Sequence, residues 1–570
     1  MTDVFPKARD LQGFRSMLEL AICFVITLTI LRGFFLEGYL VSSGSMAPRL
    51  YGFHKRVECP TCQYSFGCGV RFDDSVDGSS QTTKGSDAVK TYASCPNCGQ
   101  IDIDISPVPR NHGDQLLVHK SVFDFRRPRR WEPVVFRNPD GADDTYVKRV
   151  VGLPGEKLLI FDGDVYVNGR IARKDLTTQR SMRILVTDLQ HVPDDRDWEL
   201  PWQLDGNWTV ENGELRSADD DDSEATNTVA FHHWRWFGGN HTVETPLSKN
   251  DAYPDWTAFL QRFENIPVSW ASRLDFDRDT EVLRCQGVMP DAMQRDLMTS
   301  ATNDEFRRAV YRLAALSHLS PVTDRYGYNS MVSSPEYNVT DLMLTATIAI
   351  SEQPNVVRLS IPVDTAIYHV HLDMKSGQVE LRSAETEKPL RTATVNLAGE
   401  ELQIEASNFD RRILVAINGE VPFAPLDLPG PDPVPAENTP SDNVTNSGAQ
   451  AAQKTAEQVL HNQRFALSST GGQIRISSLQ MYRDVYYTPG RRKNAVVSTC
   501  EIPPDSYFVQ GDNSPVSADS RSWDKPFVPH NLLVGKPFIV HLPSRPGRMK
   551  LGGREISIRI PDFRRIGYIQ

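Results

Sequence analysis

Three serines crowd around a glycine in "VSSGSMAPRL", residues 41–50, and the last of them, Ser45, is a candidate nucleophile. Small polar residues directly after an apolar segment also mark the exit from a membrane helix, so Ser45 needs a base before it counts as more. A serine hydroxyl attacks only when a neighbour takes its proton, and histidine is the usual partner. The 13 histidines form no evident Ser-His-Asp arrangement. His369 and His371 in "YHVHLD" share one strand face, where they either bind a metal or pack as ordinary imidazoles. Lysine is the other base. Strand alternation in "TYVKRVVGLPGE" puts Lys148 on the face of Tyr146 and Val150, with Arg149 and Val151 pointing the other way. On such a half-apolar face an ammonium loses solvation, and its pKa falls from about 10.4 toward neutrality, freeing a lone pair. The plain alternative is a lysine whose head reaches water at the sheet edge.

Four of the 8 cysteines form two knuckles, "CPTC" (Cys59, Cys62) and "CPNC" (Cys95, Cys98), separated by 32 residues. Each CxxC turn presents two thiolates to one ion, so a single structural zinc is expected, although the spacing exceeds that of usual zinc ribbons. Two redox disulfides are the alternative. Neither motif opens a helix in a βαβ context, as a thioredoxin-type site should. Cys68 is a possible replacement ligand, and Cys23, Cys285 and Cys500 stand alone.

These groups need elements to position them. Residues 17–36, "MLELAICFVITLTILRGFFL", are about 30 Å long as a helix and just able to cross a bilayer. A cleaved signal peptide competes, because the uninterrupted apolar centre at residues 20–31 is short. An anchor is the preferred reading: Phe34, Phe35 and Leu36 prolong the apolar face, while Glu19 and Arg32 lie near the ends and can snorkel. Lys7, Arg9 and Arg15 precede the segment, which sets the N-terminus in the cytoplasm and the rest outside.

Beyond the knuckles, short apolar strands alternate with turns such as "DGD" and "NG", a β-domain pattern. The texture changes at residues 173–499, with long polar loops, an acidic run at 219–222 and regularly spaced strands suggesting a β-sandwich. Asn303 is placed to cap a helix whose Phe306, Val310 and Leu313 share a face, and residues 426–458 read as a disordered loop. The earlier β style returns at residue 500. The first β domain is therefore discontinuous and holds an insertion. The chain is expected to divide into a cytoplasmic N-terminus (1–16), an anchor (17–36), a split β domain (37–53, 104–172 and 500–570), a zinc-ribbon-like insertion (54–103) and a sandwich-like insertion (173–499). The net charge of −11 over 570 residues argues against nucleic acid as the main partner. The one basic cluster, "RRPRRW" at 126–131, reads as a solvated face or a headgroup contact.

Taken in order, "EGYLVSSGSMAPRL", "GDQLLVHK", "YVKRVVGLPGEKLLIFDGDVYVNG", "SYFVQGDNSPVSADSR" and "FRRIGYI" resemble bacterial type I signal peptidases over roughly a third of the residues. The family consists of membrane-anchored Ser-Lys proteases that cut signal peptides from exported preproteins. The resemblance implies a single-pass protein of the inner (plasma) membrane, with its catalytic domain outside the cytoplasm and no catalytic cofactor. It casts Ser45 as nucleophile and Lys148 as base, with Ser43 in the oxyanion hole and Ser517 bonded to the lysine amine. Asp512 is expected to pair with Arg149, and Asp519 with Arg521. Val41, Met46 and Val147 are expected to line pockets for small side chains of an extended peptide bound by β-pairing. The sequence departs from the family at Ser42, usually proline, and at Ser514, usually arginine. Neither insertion is required by the family. The sandwich is a candidate binder of carbohydrate or protein, with aromatic residues such as those in "FHHWRWFGG" able to stack on sugars.

Overall fold

The computed structural model describes residues 8–70, 91–193, 200–217, 226–233, 242–246, 274–300, 306–314, 321–431 and 464–569, apart from one to three residues at a few points. Strands dominate it. The apolar N-terminal run has no proline to interrupt it and forms an α-helix, Ala8–Ile30, continued by a π-turn, Leu31–Phe35. Its residues 15–35 are long and apolar enough to cross a membrane, and Met17, Leu20 and Phe24 are exposed along it.

The chain leaves this helix directly into the strand Leu36–Leu40, the edge of an antiparallel sheet. From that edge the order is Leu36–Leu40, Gln115–His119, Leu533–Val540, Pro133–Arg137, Thr145–Gly152, Ser506–Gln510 and Val528–Pro529. Early and late segments of the chain thus alternate within one sheet. Apolar residues of alternating strands fill its faces: Val41, Met46, Leu116 and Val118 on one side, Phe136, Val150, Tyr507 and Val509 on the other. The "DGD" and "NG" turns close the hairpin of a second small sheet, Lys157–Phe161 with Asp164–Val167 and Arg170–Ile171, joined by Cys500–Glu501. Asp162 and Asn168 take the positive φ that such turns require.

Between residues 173 and 499, two larger antiparallel sheets share one apolar core. One centres on Ile474–Arg483 paired with Leu342–Ile350, the other on Val356–Val363 paired with Ala366–Asp373. Alternation is regular on these strands, so Leu344, Ala346 and Ile348 face inward against Leu359, Ile361 and Val370. A separate cluster joins Phe306, Val310 and Leu313 to the helix Asp291–Ser300 and the strand Val282–Gln286. Asn303, the acidic run 219–222, Trp234 and Trp236 lie outside the described residues. The loop anticipated at 426–458 is ordered at its start, where Leu426 and Asp427 pair with Ile413 and Arg412; residues 432–458 lie outside the described residues.

Candidate active site

Ser45 lies at the centre of a 3₁₀ turn, Gly44–Met46, and is buried although Ser43 beside it is exposed. The turn is pinned from behind. Val41 N–H donates to Asp114 O at 2.9 Å, Asn513 N–H to Ser45 O at 3.0 Å, and Asn513 Nδ2 to Gly44 O at 2.8 Å. At Gly511 an added Cβ would lie 2.4 Å from Ser45 O, so only glycine lets the "GDN" loop come this close.

Thr145–Gly152 brings Lys148 to this turn, and its Nζ donates to Ser45 Oγ at 2.5 Å. Lys148 is 4 % exposed. Burial pulls its pKa down to about 8, against weaker opposing pulls from Asp519 and Asp512. Ser43 Oγ lies 3.2 Å from Ser45 Oγ.

Behind the lysine, two buried ion pairs fix the strand and the late loop. Arg149 grips Asp512 with both forks, Nε to Oδ1 and Nη2 to Oδ2, each at 2.7 Å. Arg521 grips Asp519 at 2.9 and 2.6 Å, and its Nη1 also reaches Ser514 Oγ at 2.5 Å and Thr488 O at 2.6 Å. Burial raises the Asp519 pKa, but Arg521, Lys148 and the Gly511 N–H together outweigh it and hold the carboxyl below its ordinary value.

Two anticipated contacts differ. The Ser517 hydroxyl is buried with no hydrogen-bond partner among the described residues and does not bond Lys148, whose described donation goes to Ser45. Met46, 1 % exposed, packs beneath the turn with Leu50 and Val41 rather than lining the cleft. Val41 and Val147 do line it, in a cavity of about 210 Å³ bounded by residues 39–43 and 144–148. The strand Ser506–Gln510 pairs with Thr145–Gly152 only from Arg149 onward, so residues 145–148 have no strand partner on that edge among the described residues.

Asn513, within "GDN", and Tyr326, Tyr328 and Asn329 also belong to the site and are not among the residues the sequence singles out. Asn513 and Asn329 exchange amide hydrogen bonds at 2.7 and 2.9 Å, and Tyr326 Oη donates to Ala47 O at 2.9 Å. No sequence signal connects residues this far apart.

The cysteine knuckles sit beside the site. Their backbone turns match: Gln63 N–H donates to Cys59 O at 2.9 Å, and Gly99 N–H to Cys95 O at 3.0 Å. Gln63 and Gly99 both have positive φ. Cys59 and Cys98 sulfurs are 3.5 Å apart and those of Cys62 and Cys95 3.6 Å, all four lying within 4.8 Å of one another. A tetrahedral ion with Zn–S bonds of about 2.3 Å sets sulfurs at about this spacing, so the donor set fits zinc. His369 and His371 lie on Ala366–Asp373 with Ser360 Oγ 3.1 Å from His369 Nδ1, and join no such cluster among the described residues.

The family "Signal peptidase, peptidase S26" matches residues 106–229 and 442–542, blocks that hold Lys148 and the 512–521 loop. A protein named "Probable signal peptidase I-2" from Synechocystis sp. is 38 % identical over 63 residues, 10 % of this chain and 29 % of that one. "Signal peptidase I V" from Bacillus subtilis is 38 % identical over 74 residues, 12 % of this chain and 43 % of that one. The chain thus spans less than half the length of these curated relatives. A solved carbohydrate binding module, CBM66 from Bacillus subtilis, aligns with 25 % of this chain and 74 % of its own at 9 % identity and a TM-score of 0.17, too slight a likeness to carry an argument. Two blocks on either side of residues 230–441 thus match the signal peptidase family, peptidase S26, and the relatives of the same description agree with that match.

Proposed function

We propose that this protein is a membrane-anchored serine endopeptidase that removes signal peptides from exported preproteins through a Ser45–Lys148 dyad. The observation that carries the reading is the 2.5 Å hydrogen bond from a buried Lys148 amine, its pKa drawn down to about 8, to the Ser45 hydroxyl. Lys148 takes the Ser45 proton as Oγ attacks the carbonyl carbon of the substrate. The oxyanion turns toward Ser45 N–H and the Ser43 hydroxyl, where one donor is typically worth about 3 kcal/mol of barrier. Lys148 then returns the proton to the departing amine as the C–N bond breaks. In the second half it deprotonates a water that attacks the ester, and Ser45 Oγ leaves with the proton. The extended peptide before the cut pairs with residues 145–148, and Val41 and Val147 leave room only for small side chains.

The helix ending near Phe35 serves as the single anchor, which keeps Ser45 near the bilayer surface and places the β domains outside the cytoplasm. Cys59, Cys62, Cys95 and Cys98 hold a structural zinc in a ribbon-like module, and residues 173–499 form an inserted sandwich.

Cleavage of a preprotein by purified wild type, Ser45→Ala and Lys148→Ala tests the dyad. Both variants should lose at least about 10³-fold in kcat. Retained cleavage by folded Lys148→Ala overturns the assignment.

A further inference from the structure

A second cavity, of about 510 Å³, meets the first at Ser43, Ser45, Tyr146 and Lys148. A peptide cut at Ser45 has its acyl half on one side of the nucleophile and its leaving amine on the other. The first cavity carries the strand edge that pairs with the acyl half, so the new N-terminus of the product lies in the second. The wall of that second cavity is built by the insertion: Tyr328, Asn329 and Val332 line it opposite Trp523.

This wall is anchored to the nucleophile turn rather than resting on it. Tyr328 is 6 % exposed, stacks on Tyr51 at 5.5 Å between ring centroids, and donates to Phe53 O at 3.3 Å. Its ring fills the space where a Cβ at Gly44 would stand, 2.3 Å away. Asn329 is locked by its paired bonds to Asn513, which itself holds Gly44 O. Val332, by contrast, is 43 % exposed and free to touch a ligand.

We propose that Tyr328, Asn329 and Val332 of the insertion form the subsite that selects the residues just after the scissile bond. The inference deepens the peptidase reading and rests on it. Lys148 is the only charged side chain lining this cavity among the described residues; the rest are aromatic, aliphatic or small and polar. An uncharged first residue of the mature chain therefore fits, whereas a charged one loses water without a partner.

The test uses the full-length protein in detergent and peptides identical up to the cut, with Ala, Leu, Asp or Lys in the first position after it. Wild type should favour Ala and Leu over Asp in kcat/KM by about tenfold. Val332→Asp should shift the Lys-to-Asp ratio toward Lys by about fivefold or more, as a new charge at a partly exposed site does. Glu214→Gln, on the insertion strand Glu214–Ser217 and not among the residues lining either cavity, serves as control and should leave the ratio alone. Equal kcat/KM for all four peptides, or the wild-type ratio in Val332→Asp, overturns the subsite. Absence of any Ser45-dependent cleavage by wild type removes the peptidase reading itself, and the subsite with it.

Discussion

In the proposed dyad Lys148 accepts a proton only when it carries none, and burial is what makes that state available near neutrality. With its pKa at about 8, kcat/KM should climb about tenfold per pH unit below 8 and level off above it, because the free amine is the competent form. A pH–rate profile of the purified protein checks this; a limb centred near the ordinary lysine value of about 10.4 would contradict it. Alternation in "TYVKRVV" puts Lys148 on a face with Tyr146 and Val150, but leaves open whether its head is buried or reaches water at the sheet edge. Its partner is not legible there, for Ser45 reaches it only through a sheet that interleaves distant segments. Hydroxyls are harder still to read. Ser517 is a small side chain whose hydrogen bonding is decided by rotamer and close packing under Gly511, and neither leaves a trace in residue type.

At the scale of elements, the cysteine knuckles brace the loop that walls the cleft. Ser94 N–H donates to Ser330 Oγ at 3.3 Å, and at Gly327 a Cβ would stand 3.0 Å from Pro96. Asn97 ties the same knuckle to the insertion, donating to His191 O at 2.9 Å and accepting from Asp188 N–H at 2.6 Å. Because folding of such knuckles is coupled to the metal, Cys62→Ser or prolonged chelation should lower Tm by about 5 °C or more. Cleavage should fall with it and recover on adding zinc. Unchanged Tm after metal removal, or disulfides mapped between the four thiols, would refute the zinc assignment. The paired CxxC motifs were plain in the sequence because the ligands are local. Their service as a buttress was not, since "RYGYNS" has the composition of any polar turn and no periodicity to mark it.

At the scale of the whole molecule, the insertion joins the split β domain through a buried cluster of charges. Lys174 Nζ donates to Asp410 at 2.5 Å and Asp484 at 2.7 Å, and Asp341 accepts from Asp410 N–H at 2.6 Å. Asp164, from the hairpin of the split domain, lies within 4.8 Å of Asp341 and Asp410. Burial first, then the neighbouring carboxylates, push the Asp341 pKa up to about 8, and Asp164 is raised well above its ordinary value for the same causes. A carboxyl raised on folding binds its proton more tightly in the native state, so stability falls as pH rises from about 4 through about 8. Tm should therefore drop by a few degrees between pH 5 and 8, and Asp341→Asn should flatten that dependence. A wild-type Tm unchanged across this range would count against the clamp. The alternating strands on both sides of the joint were readable from sequence, whereas four carboxylates around one lysine arise only when domains dock. The order of segments has a further consequence for biosynthesis. Ser45 and Lys148 emerge early, but Ser506–Gln510, Asp512 and Asp519 follow residues 173–499. Without that late strand and loop, the serine turn lacks the backing of Asn513 and Gly511, and Arg149 lacks Asp512. On the proposed peptidase reading, both reactive residues precede in the chain the strand and loop that back them, so cleavage waits until residues 506–521 have been made.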